Sequence, residues 1–259
     1  MNTSFGPRIN NSQWDFHDGI DLPAPCGTPV YAMRDGVICK AGPAGNGYKS
    51  RHIIIKVNDP TDGEMYLVYL HLKSINSFIK ACEPVKQGQI LGTVGMDDAT
   101  YPHLHFEFRK GSPKQKYSVH PLGYLPYTDT ANFTAPVLDS FYQLNGLMAV
   151  LLRFGANSKL EGDLKRIEVD LKSSNTLLET RVVDFNDKET INEGNGDKYL
   201  YKNDIGVEGY QSSNMVARKR TKLKYGIRVR NLPSNCDTLI ARVIDVGGNV
   251  STSALITVP

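Results

Sequence analysis

His103-Leu104-His105-Phe106-Glu107-Phe108 alternates polar and apolar residues, the period-two pattern of a half-buried β-strand. Side chains at i and i+2 share a face, with backbone positions about 6.6 Å apart at ~3.3 Å per residue. His103, His105 and Glu107 are therefore expected on one side, with Leu104, Phe106 and Phe108 turned to the core. Two imidazoles on one face can bind one ion together, or one can bind while its neighbour flanks the bound water. Spacing alone does not choose. Glu107 is open in the same way: it either orients a histidine or stands exposed on the strand. Upstream, Tyr69-Leu70-His71-Leu72 puts a third histidine at the end of the apolar run from Met65 to Leu72, a candidate acid or base. Further upstream, His17-Asp18-Gly19-Ile20-Asp21 supplies another histidine and a carboxylate. Gly19 lies between them and Pro23 and Pro25 follow, so the segment reads as a loop leading into a strand.

An isolated H-x-H occurs on many strands without a metal, and an isolated H-x-x-x-D is weaker still. Together they offer two imidazoles and a carboxylate to one divalent ion with a coordination position left open. That donor set makes water reactive near neutral pH, so the expected chemistry is zinc-assisted hydrolysis. Two histidines and a carboxylate also suit non-haem iron, the alternative metal. The chain has no H-E-x-x-H helix and lacks the glutamate base of that protease class. Proton transfer then falls to histidine, whose ordinary pKa of about 6.5 suits it.

These motifs, in this order, resemble the lysostaphin/LytM-type zinc endopeptidases, which cut the peptide part of bacterial peptidoglycan. The resemblance runs from Phe5 to about Arg109. Phe5-Gly6-Pro7-Arg8 is similar to the family's opening F-G-x-R, and Phe16 to Asp21 to its first metal motif. Ala24 to Ala32 and Asp35-Gly36-Val37-Ile38 are similar to the strand-turn-strand that follows. Tyr69 to Leu72, Val85 to Gly92 and His103 to Glu107 complete the set. The resemblance implies that His17, Asp21 and His105 bind Zn2+, and that His71 and His103 flank the position where water and the scissile carbonyl meet. It also implies an antiparallel-sheet peptidase domain and a bacterial peptidoglycan peptide as partner. The chain departs from the family just before the last motif. Asp97-Asp98-Ala99-Thr100-Tyr101-Pro102 stands where a glycine-containing turn is usual, and Tyr101 is expected to reshape that wall of the groove. A non-catalytic relative that binds wall peptide or activates an amidase is the competing reading. Such relatives are expected to have lost ligands or flanking histidines, and here all five positions are filled.

At 259 residues the chain suggests two domains, and 40% hydrophobic content is ordinary for a globular protein. A net charge of +3 is too small to imply nucleic acid. The basic run Arg218 to Lys224 reads as a lysine-protected edge strand. The four cysteines, Cys26, Cys39, Cys82 and Cys236, form no C-x-x-C pair. Cys26 and Cys39 could pair, but buried free thiols are the expectation. No stretch reaches the roughly 18 apolar residues of a membrane span, and Met1-Asn2-Thr3-Ser4 has no apolar signal region. A wall substrate implies a periplasmic or extracellular protein, so an export signal is expected to be missing from the numbered chain. Without coiled-coil heptads the expectation is a monomer.

The domain boundary is expected at 128, giving a peptidase domain over 1–128 and a second domain over 129–259. After Thr128 the chemistry disappears; the last histidine, His120, lies outside every motif and reads as structural. Strand-like runs cover Leu147 to Phe154, Leu164 to Leu171, Leu177 to Phe185, Tyr225 to Arg230 and Thr238 to Ile244. Asp245-Val246-Gly247-Gly248-Asn249 is a turn before a closing strand from Val250 to Val258, and Asn192 to Asp204 reads as a surface loop. Short strands at this spacing suggest an antiparallel sandwich. The D-x-x-G-N turn resembles bacterial immunoglobulin-like domains. The whole chain is thus expected to be mainly β.

Overall fold

A computed structural model of the chain describes residues 5–10, 13–45, 48–128, 133–155, 163–187, 200–202, 204–210, 213–214, 219–220 and 224–259. The fold is mainly β. Among the described residues the only helices are two short 3-10 turns, Gln115–Tyr117 and Pro121–Gly123. The chain divides into two compact units: Asp18–Pro121 and, separately, Phe5–His17 with Leu122–Pro259.

The strands ahead of residue 122 are β1 (Gly6–Asn10), β2 (Gln13–His17), β3 (Ile20–Pro23), β4 (Pro29–Tyr31), β5 (Gly36–Gly45), β6 (Tyr48–Asp59), β7 (Gly63–Ile75), β8 (Pro84–Val85), β9 (Ile90–Val94), β10 (His103–Lys110) and β11 (Ser118–Val119). In the first unit β3 to β11 make one antiparallel sheet. Its main path runs β11-β10-β7-β6-β5-β8, with β3 on β10 and β9 on β7. The middle of this path is apolar on both faces, which explains its continuous hydrophobic runs. Ile53, Ile55, Leu67 and Tyr69 are all buried, and so is a cluster of Ile54, Tyr66 and Val68 with Leu70 packed against it. Register places the second set precisely enough to matter: Ile54 pairs with Val68, Val68 with Glu107, and Leu70 with His105. Directly paired residues share a face. The candidate site therefore stands on the same side of the sheet as this small apolar cluster.

The second unit adds β12 (Val137–Leu144), β13 (Leu147–Gly155), β14 (Leu164–Ser173), β15 (Thr176–Asp184), β16 (Leu200–Lys202), β17 (Ile205–Tyr210), β18 (Ser213–Asn214), β19 (Lys219–Arg220), β20 (Lys224–Val229), β21 (Thr238–Asp245), β22 (Val250–Thr252) and β23 (Ile256–Thr257). They form two five-stranded antiparallel sheets, β12-β13-β20-β17-β16 and β15-β14-β21-β22 with β23 also on β21. Each is laced by apolar ladders: Leu152 opposite Ile227 opposite Val207, and Ile167 opposite both Val183 and Val243. β21 alternates half-exposed and buried residues along its whole length, the signature of one face on a core. The hairpin β1-β2 belongs to this unit, with Phe5 edge-on to Phe16 at 5.1 Å and Phe16 6.3 Å from Phe185.

The five strand runs expected after residue 128 are present. The closing strand is not continuous: it is broken into β22 and β23, and between them the Ser253 hydroxyl oxygen accepts from the Ala241 N–H at 2.9 Å. The turn before it is held by Asp245, whose carboxylate accepts from the Asn249 backbone and side-chain N–H groups at 2.8 and 2.9 Å. The run Arg218 to Lys224 and the loop Asn192 to Asp204 lie largely outside the described residues. All four cysteines are free, as expected. Cys26, Cys39 and Cys82 are exposed rather than buried, because they sit at a turn, a strand bulge and a left-handed turn position; Cys236 alone is buried.

Gly92 on β9 is held against β7, and a Cβ there would fall 2.1 Å from the Ser74 carbonyl oxygen. Gly92→Ala must push two paired strands apart, and urea denaturation should register a loss of about 1–3 kcal/mol.

Candidate metal centre

Antiparallel pairing of β3 with β10 sets Asp21 opposite His105. Paired residues project to one face with Cβ atoms about 4.5–5.5 Å apart, so groups 84 positions apart become neighbours. Asp21 Oδ1 lies 3.1 Å from His105 Nδ1 and 3.3 Å from His103 Nε2. The potential ligand atoms of His17, Asp21 and His105 all lie within 4.8 Å of one another. Tetrahedral zinc holds nitrogen and oxygen at about 2.0–2.2 Å, which separates ligands by roughly 3.3–3.6 Å, and modest side-chain rotation covers the difference. Neither His17 nor Asp21 lies on the expected loop. His17 ends β2 and Asp21 sits inside β3, because these short segments find partners in β1 and β10.

Gly19 lets the chain pass between them. A Cβ at this position would fall 2.4 Å from Phe106 O and 2.9 Å from His105 Nε2. No other residue lets the approach to β3 lie across His105.

His105 stands between two carboxylates, with Nδ1 toward Asp21 and Nε2 3.0 Å from Glu107 Oε1. Burial disfavours its cationic form, yet the bonds to Asp21 and Glu107 outweigh that and raise its pKa to about 9. Glu107 is 1% exposed and also accepts from Arg109 Nε at 2.6 Å. Burial opposes its ionisation, but His105 and Arg109 together hold the carboxyl below the usual range. Of the two sequence readings of Glu107, the exposed carboxylate is excluded: it is the buried acceptor for the His105 ring.

The other two histidines are oriented by carbonyls. His103 Nδ1 lies 2.9 Å from Tyr101 O and His71 Nδ1 3.1 Å from Asp97 O. A carbonyl only accepts, so the network assigns the proton to Nδ1 in both rings and leaves Nε2 with a bare lone pair. The ring centroid of His71 is 4.8 Å from that of His103 and 5.9 Å from that of His105. Burial, reinforced by the charges of His103 and His105, pushes the His71 pKa down to about 4. It is a neutral base at pH 7. Its backbone, at φ 59°, is in the left-handed region that non-glycine residues seldom adopt.

This donor chemistry fits a cation. His17, Asp21 and His105 bring imidazole nitrogen and carboxylate oxygen within 4.8 Å of one another, the donor types a divalent cation takes. His105 Nδ1 is free to bind metal in place of its proton while Glu107 fixes the far side of the ring.

Two residues near this site carry no motif. Gln115 donates from Nε2 to Asp18 Oδ2. His52 on β6 is 6% exposed with Nδ1 unpartnered among the described residues, on the same face as Ile54. His120, read as structural, is buried at 1% exposure.

Gly19→Ala should weaken zinc uptake and lower the melting temperature together, as checked by chelator competition and calorimetry. His52 predicts an acid sensitivity. Burial, with Lys40 and Arg109 nearby, lowers its folded-state pKa to about 4 against 6.5 unfolded. The unfolded chain therefore takes up the proton first. Stability present above pH 6.5 is lost as pH falls toward 4, by about 2 kcal/mol between pH 7 and pH 5. His52→Phe should be less pH-sensitive than the parent by that amount in metal-free denaturation curves.

Residues 15–120 match the sequence profile of peptidase family M23. Over 140 residues the chain is 37% identical to the DD-carboxypeptidase/endopeptidase Mpg of Neisseria meningitidis, an alignment covering 52% of this chain and 30% of that protein. It is 36% identical over 113 residues to the peptidoglycan DD-endopeptidase ShyC of Vibrio cholerae, covering 42% and 24%. The chain thus spans less than a third of the length of these curated relatives. Among solved structures, a point variant of the catalytic domain of the prophage-encoded M23 protein EnpA from Enterococcus faecalis is 36% identical, covering 47% of this chain and 88% of that one, with a TM-score of 0.40. Residues 15–120 are thus the part of the chain that is similar to peptidase family M23, the lysostaphin/LytM family.

Proposed function

We propose that the chain is a zinc-dependent endopeptidase that hydrolyses amide bonds in the peptide stems or cross-bridges of bacterial peptidoglycan. The observation that carries this reading is the convergence of His17, Asp21 and His105, with His71 and His103 beside them. The similarity to ShyC, named a peptidoglycan DD-endopeptidase, supports the substrate class. The chemistry is assigned to the first of two domains, 1–128, and the second, 129–259, is an immunoglobulin-like sandwich that supports or presents it. The site of action is the periplasm or the cell exterior, and the chain acts as a monomer.

His17, Asp21 and His105 would hold the ion, which when bound would supply a Lewis acid able to bring the pKa of water to about 7 and to polarise an amide carbonyl. His105 contributes Nδ1, because Glu107 occupies Nε2. His103 and His71 present Nε2 lone pairs, since their Nδ1 protons are committed to Tyr101 O and Asp97 O. Both accept and return protons at Nε2. Together they take the proton from water, protonate the leaving amine and stabilise the oxyanion. Their ordered rings cost no reorganisation at the moment of reaction.

The ligand and proton-transfer roles separate in mutants. Asp21→Ala and His105→Ala should lose stoichiometric zinc, measured by elemental analysis, along with cleavage. His71→Ala and His103→Ala should keep the zinc and lose about 10²–10⁴ in kcat. Digestion of purified sacculi followed by mass analysis of the fragments tests the activity itself. New amide-cleaved muropeptides are expected; binding without cleavage would favour a non-catalytic wall-peptide binder, and iron in place of zinc would overturn the metal.

A further inference from the structure

The segment from Gly95 to Pro102 contains the departure from the family pattern at 97–102 and touches both His71 and His103. The Gly95 N–H donates to His71 O at 2.8 Å, and a Cβ at Gly95 would stand 2.7 Å from that oxygen. The segment therefore leaves β9 pressed against the strand that carries His71. Asp97 O receives the His71 Nδ1 proton, and Tyr101 O receives that of His103. Asp98, at φ 61°, accepts from Ser50 N–H on β6 at 2.6 Å and pins the segment between these contacts. One short connection thus orients both candidate acid–base histidines through its main chain.

Its side chain at 101 goes further. The Tyr101 ring lies over the His103 imidazole at 4.6 Å between centroids and 35° between planes. Its hydroxyl is 3.4 Å from Asp21 Oδ2, while His103 Nε2 and His105 Nδ1 approach Oδ1. A phenol is the one side chain type that makes both contacts from this position: phenylalanine keeps only the ring, and alanine keeps neither.

We infer that Tyr101 is a positioning residue of the metal centre, its hydroxyl holding the outer oxygen of Asp21 and its ring holding His103. The inference rests on the metal reading given above. With zinc bound, the hydroxyl would hold the Asp21 carboxylate in the orientation it has here. The ring keeps His103 Nε2 aimed at the reacting water without itself touching substrate. The two contacts act on different quantities, so metal affinity and turnover separate.

The test compares the full-length chain with Tyr101→Phe and Tyr101→Ala, using two readouts: the zinc dissociation constant by competition with a chromogenic chelator, and kcat and KM on a soluble cross-linked stem peptide. Tyr101→Phe should weaken zinc binding about tenfold, the lower end for loss of a group that orients a ligand, and at saturating zinc should keep a kcat above that of Tyr101→Ala. Tyr101→Ala should bind zinc as Tyr101→Phe does and lose a further 10- to 100-fold in kcat, with KM within twofold. Zinc affinity within twofold of the parent in both variants would overturn the Asp21 role. Equal kcat in the two variants would overturn the His103 role. A parent chain that binds no zinc would overturn this inference together with the metal reading. A parent that binds zinc but cleaves no peptide would sink the proposed activity and leave the Asp21 role standing on the affinity data.

Discussion

The candidate site depends on a single registration, that of β3 against β10. Because Asp21 pairs with His105, a carboxylate and an imidazole from distant parts of the chain face each other on one side of the sheet. A slip of one residue would turn Asp21 to the opposite face and leave His105 beside Ile20 or Leu22. The register is enforced by burial: Ile20, Phe106 and Phe108 are nearly inaccessible, and Gly19 is the only residue type that fits against Phe106 O. The apolar side of β10 thus fixes where its polar side points.

Around that pairing the ionisable groups form a chain of alternating charge. Asp21 meets His105, His105 meets Glu107 and Glu107 meets Arg109. A buried carboxylate alone would protonate, and a buried imidazolium alone would lose its proton. Each survives because of its neighbour. The chain ends at Asp21, whose carboxylate also faces His103 Nε2 at 3.3 Å. His71 and His103 differ in character from His105. Their Nδ1 atoms are tied to backbone carbonyls rather than carboxylates.

The alternation of 103–108 announced a strand and its polar face, since a buried sheet side leaves a period-two record. The five strand runs after residue 128 were legible for the same reason. Other features left no record of that kind. Whether Glu107 was buried depended on Arg109 and on the neighbouring strands, none of which a local pattern reveals. His17 and Asp21 read as loop because glycine and proline surround them, yet short strands formed where β1 and β10 offered partners. His52 was invisible, for its importance comes only from facing Ile54's side of the sheet. The left-handed backbone of His71 and the carbonyls aimed at the two histidines belong to main-chain geometry, which side-chain spacing does not encode. Tyr101 stood out as bulky, but its two contacts required the fold.

The central claim is that His17, Asp21 and His105 share one ion. Anomalous diffraction at the zinc edge from crystals of the full-length chain tests it most directly. The account predicts one peak bonded to His105 Nδ1, one Asp21 oxygen and a His17 ring nitrogen at about 2.0–2.2 Å, with Glu107 still on His105 Nε2. A peak elsewhere, or no peak at saturating zinc, would contradict it.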